Sequence, residues 1–256
     1  MVSPRVFLTG AGSGIGAALA RHYAERGATV GLVGRRIEVL EALAASLPGK
    51  HLCLPADVAD PASIQHAAAR FQQEAGLPDI VIANAGISVG TLTEELDDLE
   101  AFAAVLRTNV LGMVATFQPF VAAMRERGAG RLVGISSVAG VRGLPGAGAY
   151  SASKAAAARY LESLRVELHG TGVRVVEIRP GYIATPMTAI NPYPMPFMLP
   201  ADEAARRFAR AIDRGCARAT IPWQMALVAQ GLGHLPAWLY DRLFARAQRK
   251  PRGLPL

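Results

Sequence analysis

The chain has 256 residues, 51% apolar and 18% charged, with a formal net charge of +7. That length and apolar share exclude a disordered chain and suit one α/β domain with a buried core. Two cysteines, Cys53 and Cys216, exclude a disulfide framework or a zinc ribbon, and the opening MVSPRVFLTG enters a strand pattern with no secretory leader, so a cytoplasmic setting is expected.

In chain order, Arg5–Thr9 reads as an apolar strand and Gly14–Arg26 as a helix stopped by Gly27. Strand Thr29–Val33, helix Ile37–Leu47 and strand His51–Leu54 follow, and Pro61 opens a further helix where its missing N–H costs nothing. Ile80–Ala83, Arg131–Ile135 and Arg174–Ile178 are short, buried strands. Helices fill the gaps at Leu99–Arg127, expected to be broken, and at Ala149–His169. Ala201–Arg214 is a last regular helix and Ala219–Pro222 an edge strand. This alternation predicts a doubly wound Rossmann fold, mostly a seven-stranded parallel sheet with helices on both faces, as a single domain over residues 1–256. Function in such a fold lies beyond the carboxyl ends of the strands.

The first of those ends carries Thr9-Gly10-Ala11-Gly12-Ser13-Gly14-Ile15-Gly16. Glycines admit a turn with positive φ and let a pyrophosphate approach the backbone, while the next helix offers free N–H groups and its positive dipole end. A plain flexible connection would share that composition. The second strand ends in Val33-Gly34-Arg35-Arg36, without the carboxylate that would hold an adenine-ribose 2′-hydroxyl. A guanidinium suits a 2′-phosphate better, so NADP(H) is expected over NAD(H), unless both arginines are merely solvated.

Tyr150 and Lys154, four apart, share one helical face. A free phenol titrates near pH ~10, and an adjacent ammonium would bring it toward neutrality, as acid–base chemistry requires. Ser136-Ser137 ends a strand, so one of the two hydroxyls can enter the site. Asn84-Ala85-Gly86 ends another. Asn109, inside an apolar helical stretch, is either a satisfied core amide or a functional one.

The glycine pattern, Asp57-Val58, Asn84-Ala85-Gly86, Asn109, Ser137, Tyr150/Lys154 and Pro180-Gly181-Tyr182-Ile183-Ala184-Thr185 occur in the order and spacing of the short-chain dehydrogenase/reductase family, which the chain resembles over about residues 5–185. The resemblance implies Tyr150 as acid–base, Lys154 as the cation that acidifies it and holds the nicotinamide ribose, and Ser137 rather than Ser136 as the carbonyl-orienting hydroxyl. It implies that Asn109 holds a proton-relaying water. Cofactor contacts would come from Gly10, Ser13, Gly14, Ile15, Gly16, Arg35, Arg36, Asp57 and Val58. Asn84, Ala85, Gly86, Tyr150, Lys154, Pro180, Gly181, Ile183 and Thr185 would complete that set. Asp57 would reach adenine, Asn84 the adenosine side, and Ile183 and Thr185 the nicotinamide amide. Hydride would pass between NADPH and a carbonyl carbon while Tyr150 moves the proton. A homodimer or homotetramer through the helices near 99–127 and 149–169 is likewise implied.

From Gly181 to Ala201 there is no charge, and five prolines exclude a helix, so residues 186–200 are expected to be a lid. Met187, Tyr193, Met195, Phe197 and Met198 could line an apolar pocket, with Ser137, Tyr150, Tyr182 and Met187 contacting a hydrophobic ketone, aldehyde or secondary alcohol. Residues 223–256 form an extension containing both tryptophans and a basic end, Arg242, Arg246, Arg249, Lys250 and Arg252. It is expected to pack over the pocket or a subunit, with peripheral membrane contact through 219–252 as the lesser alternative. No motif suits nucleic acid or a catalytic metal. Rival readings are a cofactor-binding regulatory protein and a membrane-associated interaction protein on the same scaffold.

Overall fold

Strand β1 (Arg5–Thr9) owes its central place to an apolar run with no polar face: Val6, Phe7 and Leu8 are fully buried. A computed structural model of the protein describes residues 3–253. In it β1 lies between β2 (Thr29–Gly34) and β4 (Ile80–Ala83), with Val6 beside Val30 and Ile80. With β3 (Leu52–Pro55), β5 (Gly130–Ile135), β6 (Val173–Pro180) and β9 (Arg218–Ile221), the seven-stranded sheet has the order β3-β2-β1-β4-β5-β6-β9, and every pairing is parallel.

Alternation along β1 divides the core in two. Val6 and Leu8 join Leu19 and Tyr23 of α1 (Gly14–Glu25), Leu40 of α2 (Ile37–Ala45), and Phe208 and Ile212 of α8 (Ala201–Arg214). Phe7 joins Phe71 of α3 (Pro61–Ala75), Phe117 and Phe120 of α5 (Gly112–Arg127) and Leu161 of α6 (Gly148–Glu167) on the opposite face. Phe7 meets Phe71 edge-on at 5.6 Å and Phe120 at 4.9 Å between ring centroids.

Two expectations change. The helix at Leu99–Arg127 is not broken. Helix α4 (Asp98–Leu106) passes into a π-helical turn, Arg107–Leu111, and continues as α5. The lid segment, expected to hold no helix, contains the short α7 (Pro186–Ala189) between β7 (Ile183–Ala184) and β8 (Leu199–Pro200). Pro186 occupies its first position, where no N–H is needed, and the Thr188 hydroxyl accepts the Thr185 N–H at 3.0 Å. Past the edge strand, α9 (Gln224–His234) and α10 (Ala237–Phe244) bring the chain back over the carboxyl ends of the strands.

Candidate active site

The ends of β1 and β4 are stitched together by side chains. Thr9 Oγ1 donates to the Ile82 carbonyl at 3.3 Å and accepts the backbone N–H groups of Asn84 and Ala85. Asn84 Nδ2 donates back to the carbonyls of Thr9 (3.0 Å) and Gly10 (3.2 Å). The Asn84 amide nitrogen thus braces the glycine loop. Gly10 has φ +67°, and a Cβ there would stand 2.8 Å from Ala85 Cα, so this close approach admits glycine alone.

The loop delivers the chain to the N-terminus of α1, whose Ser13 makes no side-chain cap and whose first turn holds no acid. Its free N–H groups and positive dipole end suit a pyrophosphate. Gly14, Ile15 and Gly16 form that first turn, and Thr185 stands over it, 3.1 Å from where a Gly14 Cβ would be. At the end of β2, Arg35 and Arg36 are exposed, and neither has a carboxylate partner among the described residues. Arg36 caps α2 by backbone alone. Asp57 Oδ1 accepts the Ala59 N–H at 2.9 Å, while Val58 is buried. A backbone cradle followed by two unpaired guanidinium groups fits a phosphorylated dinucleotide.

At the end of β5 the two serines separate. Ser136 Oγ donates to Glu177 Oε1 at 2.9 Å and to the Ile178 carbonyl, and is buried. Ser137 Oγ accepts the Ala139 N–H at 3.1 Å and faces Tyr150. In α6, Lys154 is buried, with Nζ 5.7 Å from the Tyr150 ring centroid, and donates to the Ile135 carbonyl at 2.9 Å. Burial lowers the Lys154 pKa to about 8.

Burial pushes the Tyr150 phenol above the ordinary value, and the Ser137 hydroxyl pulls the other way. The ammonium beside it donates to the Ile135 carbonyl, and the group that faces the phenol directly is the Ser137 hydroxyl.

Asn109 lies in the π-helical turn and is fully engaged. Its Oδ1 accepts the Ile87 N–H at 2.8 Å, and its Nδ2 donates to the Ile87 carbonyl and to Ser153 Oγ, both at 3.0 Å. The side-chain amide thus has a protein partner on each of its polar atoms. A Cβ on Gly86 would stand 3.1 Å from Asn109 Oδ1 and 3.5 Å from Lys154 Nζ, so Gly86 holds the β4 end against both residues.

The end of β6 supplies Pro180 and Gly181, whose N–H donates to Ile221, then Tyr182 and Ile183 of β7. Beside Tyr182 and Tyr193 opens a cleft of about 470 Å³, lined also by Leu144, Pro145, Phe244 and Lys250, among others. Tyr193 lies close enough to Tyr182 and Tyr150 for both to raise its pKa further after burial has done most, to about 12. Of the lid side chains expected in an apolar pocket, Tyr193 lines the cleft. Phe197 and Met198 face solvent, and Met187 is also exposed, offering its carbonyl to Lys250.

The C-terminal segment, expected to pack over the pocket or a subunit, walls the cleft through Phe244, Gln248 and Lys250. Tyr240 Oη donates to the Gly143 carbonyl at 2.6 Å, Gly90 N donates to the Pro251 carbonyl, and Arg252 pairs with Asp98 and Glu95. Sequence reasoning missed Thr9, Glu177 and Lys250 as site-building residues, and only the position of Thr9 at a strand end gave any signal. Among the described residues no three His, Cys, Asp or Glu side chains gather as metal ligands would.

Comparison with known proteins gives a consistent result. The sequence model of the family described as short chain dehydrogenase matches residues 4–192. An uncharacterized oxidoreductase of Myxococcus xanthus is 42% identical over 239 residues, covering 91% of this chain and 93% of that protein. An uncharacterized oxidoreductase of Mycobacterium tuberculosis is 36% identical, covering 86% and 88%. Among solved structures, a short-chain dehydrogenase from Burkholderia cenocepacia in complex with NADP superposes with a TM-score of 0.81 at 29% identity, covering 94% of this chain and 97% of that one. L-Sorbose reductase from Gluconobacter frateurii, complexed with NADPH and L-sorbose, gives 0.78 at 25% identity, with 86% and 95% covered.

Proposed function

The chain belongs to the short-chain dehydrogenase family, and from that premise we propose that it is an NADP(H)-dependent reductase of ketones or aldehydes, or in reverse a dehydrogenase of secondary alcohols. The observation that carries this reading is the convergence of Ser137, Tyr150 and Lys154 against the β4 end that braces the glycine loop, with Tyr150 near Tyr193 of the cleft wall. When bound, the nicotinamide supplies or accepts the hydride.

The remaining steps belong to the protein. Ser137 Oγ donates to the carbonyl oxygen of the substrate and fixes its orientation, worth several kcal/mol by positioning. Tyr150 Oη, kept protonated by burial, gives its proton to that oxygen as negative charge develops. Lys154, still cationic below pH about 8, stabilises the phenolate that remains, and its link to Ile135 keeps it in place. Arg35 and Arg36 take the 2′-phosphate, and the α1 N-terminus takes the pyrophosphate. NADP and NADPH in the related structures support the phosphorylated cofactor.

Oligomerisation through α4, α5 and α6 is supported by the exposure of Leu99, Leu111 and Val166 on that helical surface. The stretch Asp98–Arg127 is long and apolar enough to cross a membrane, but Phe117, Phe120 and Met124 bury its inner side on the sheet. A second reading of residues 219–252, a peripheral contact with an anionic lipid surface, is favoured by one observation. Trp223 and Trp238 are 64% and 68% exposed, and Arg242, Arg246 and Arg249 are exposed nearby in the chain.

The test is NADPH oxidation against a panel of apolar ketones and aldehydes. Tyr150→Phe should lower turnover about 10²- to 10⁴-fold and leave NADPH affinity within about twofold, because the phenol acts on the substrate proton. Near-normal turnover in that variant would refute the assignment.

A further inference from the structure

Among the described residues, Lys250 is the one charged residue lining the cleft. It arrives from the far end of the chain, is 7% exposed, and its Nζ donates to Ser88 Oγ at 3.0 Å and to the Met187 carbonyl at 3.4 Å. Both partners are neutral. Among the described residues no carboxylate lies within salt-bridge distance of it. An ammonium removed from water without an opposite charge is costly.

The neighbouring contacts show that Lys250 is not what fastens the tail. Arg252 takes both nearby acids, Asp98 at 2.8 Å and Glu95 at 2.9 Å, and Gly90 N holds the Pro251 carbonyl at 2.9 Å. The segment is anchored one and two residues further on, while Lys250 lines the cavity with only neutral partners on its Nζ.

We propose that Lys250 is a substrate-positioning residue that takes a carboxylate, so that the preferred substrates are oxo- or hydroxy-acids with an apolar chain. The carboxylate pairs with Nζ, the chain lies against Leu144, Pro145, Tyr182 and Phe244, and the reacting carbon is left toward Tyr150. This deepens the reductase reading and rests on it for the reaction, though the binding it requires can be measured without turnover. It also changes the expectation of a purely apolar pocket, since the charge comes from outside the lid.

The test compares calorimetric titration of octanoate with octan-1-ol at pH 7 on the NADP⁺-loaded protein, using wild type, Lys250→Met and Lys250→Arg, with thermal melting as a fold check. The expected result is at least a tenfold preference for octanoate in wild type. That preference falls to near unity in K250M and is largely restored in K250R. Equal affinity for the two probes in wild type would overturn the proposal even if K250M failed to fold. So would an octanoate preference that survives in K250M, or a K250M defect confined to NADP⁺ affinity, which would assign the lysine to a cofactor phosphate. A protein that binds octanoate selectively but oxidises no NADPH would sink the reductase reading and leave the carboxylate site standing.

Discussion

Ser136 and Ser137 are adjacent in the chain yet serve opposite sides of the β5 end. The first donates to buried Glu177 at 2.9 Å, and the second faces Tyr150. Glu177 also accepts from Arg179 at 2.6 Å and Arg218 at 2.7 Å, so one carboxylate ties β5, β6 and β9 together beneath Ser137. Ser136→Ala removes one bond to a charged group and should cost about 1.5–3 kcal/mol of stability while most activity is retained. Ser137→Ala should do the reverse, lowering turnover about 10²-fold with little change in melting temperature. Chemical denaturation and steady-state rates of the two variants, side by side, separate these roles.

Cofactor choice is expected to reside in the two arginines after β2. Removing both, as Arg35→Ala with Arg36→Ala, takes away charge-assisted bonds to a 2′-phosphate and should raise KM for NADPH about 10- to 100-fold. KM for NADH should change by less than about twofold. Parallel kinetics with both reduced cofactors would show it, and an equal loss on both would place the arginines on a shared part of the dinucleotide.

Burial holds Lys154 near pKa 8, against 10.5 when unperturbed. Below pH about 8 both folded and unfolded chains carry the proton, and the folded state bears the full cost of the buried cation. That cost is relieved as pH rises from about 8 toward 10.5, so this group adds stability across that window. The activity moves in the opposite sense. Loss of the ammonium leaves the phenolate unsupported, and kcat/KM for NADPH, which reports the free enzyme, should fall above pH about 8. Lys250 shares the same value and cause. The rate decline should therefore persist in K250M if it belongs to Lys154.

Membrane contact is tested by sedimentation with vesicles rich in phosphatidylserine. Binding at low ionic strength and release in high salt are expected, with Trp238→Glu abolishing it by placing a charge where an indole would enter the interface. Indifference to lipid charge would leave the exposed tryptophans to a subunit contact.

Much of this was legible in the sequence. Strands such as Val6–Leu8 announce themselves by local pattern, and Tyr150 with Lys154 falls on one helical turn whatever surrounds it. What escaped notice depends on distance along the chain. Lys250 meets Ser88 across 162 positions and Arg252 meets Asp98 across 154, and no periodicity encodes such contacts. Glu177 escaped because a single acid in an apolar strand gives no hint of its partners. The helix in the lid escaped because proline was weighed as a breaker rather than as a residue suited to a first helical position.

The π-helical turn at Arg107–Leu111 lets one continuous rod serve two masters. Asn109 must point at Ile87 and Ser153, while Phe117, Phe120 and Met124 must point at the sheet. A π-turn holds one residue more than the α-turn it replaces, so deleting a single residue there would return the rod to plain α-helix and cost Asn109 its alignment with Ile87 and Ser153. The interval between position 109 and position 117 is accordingly fixed in length, and loss or gain of one residue within it should be tolerated less well than most side-chain replacements nearby.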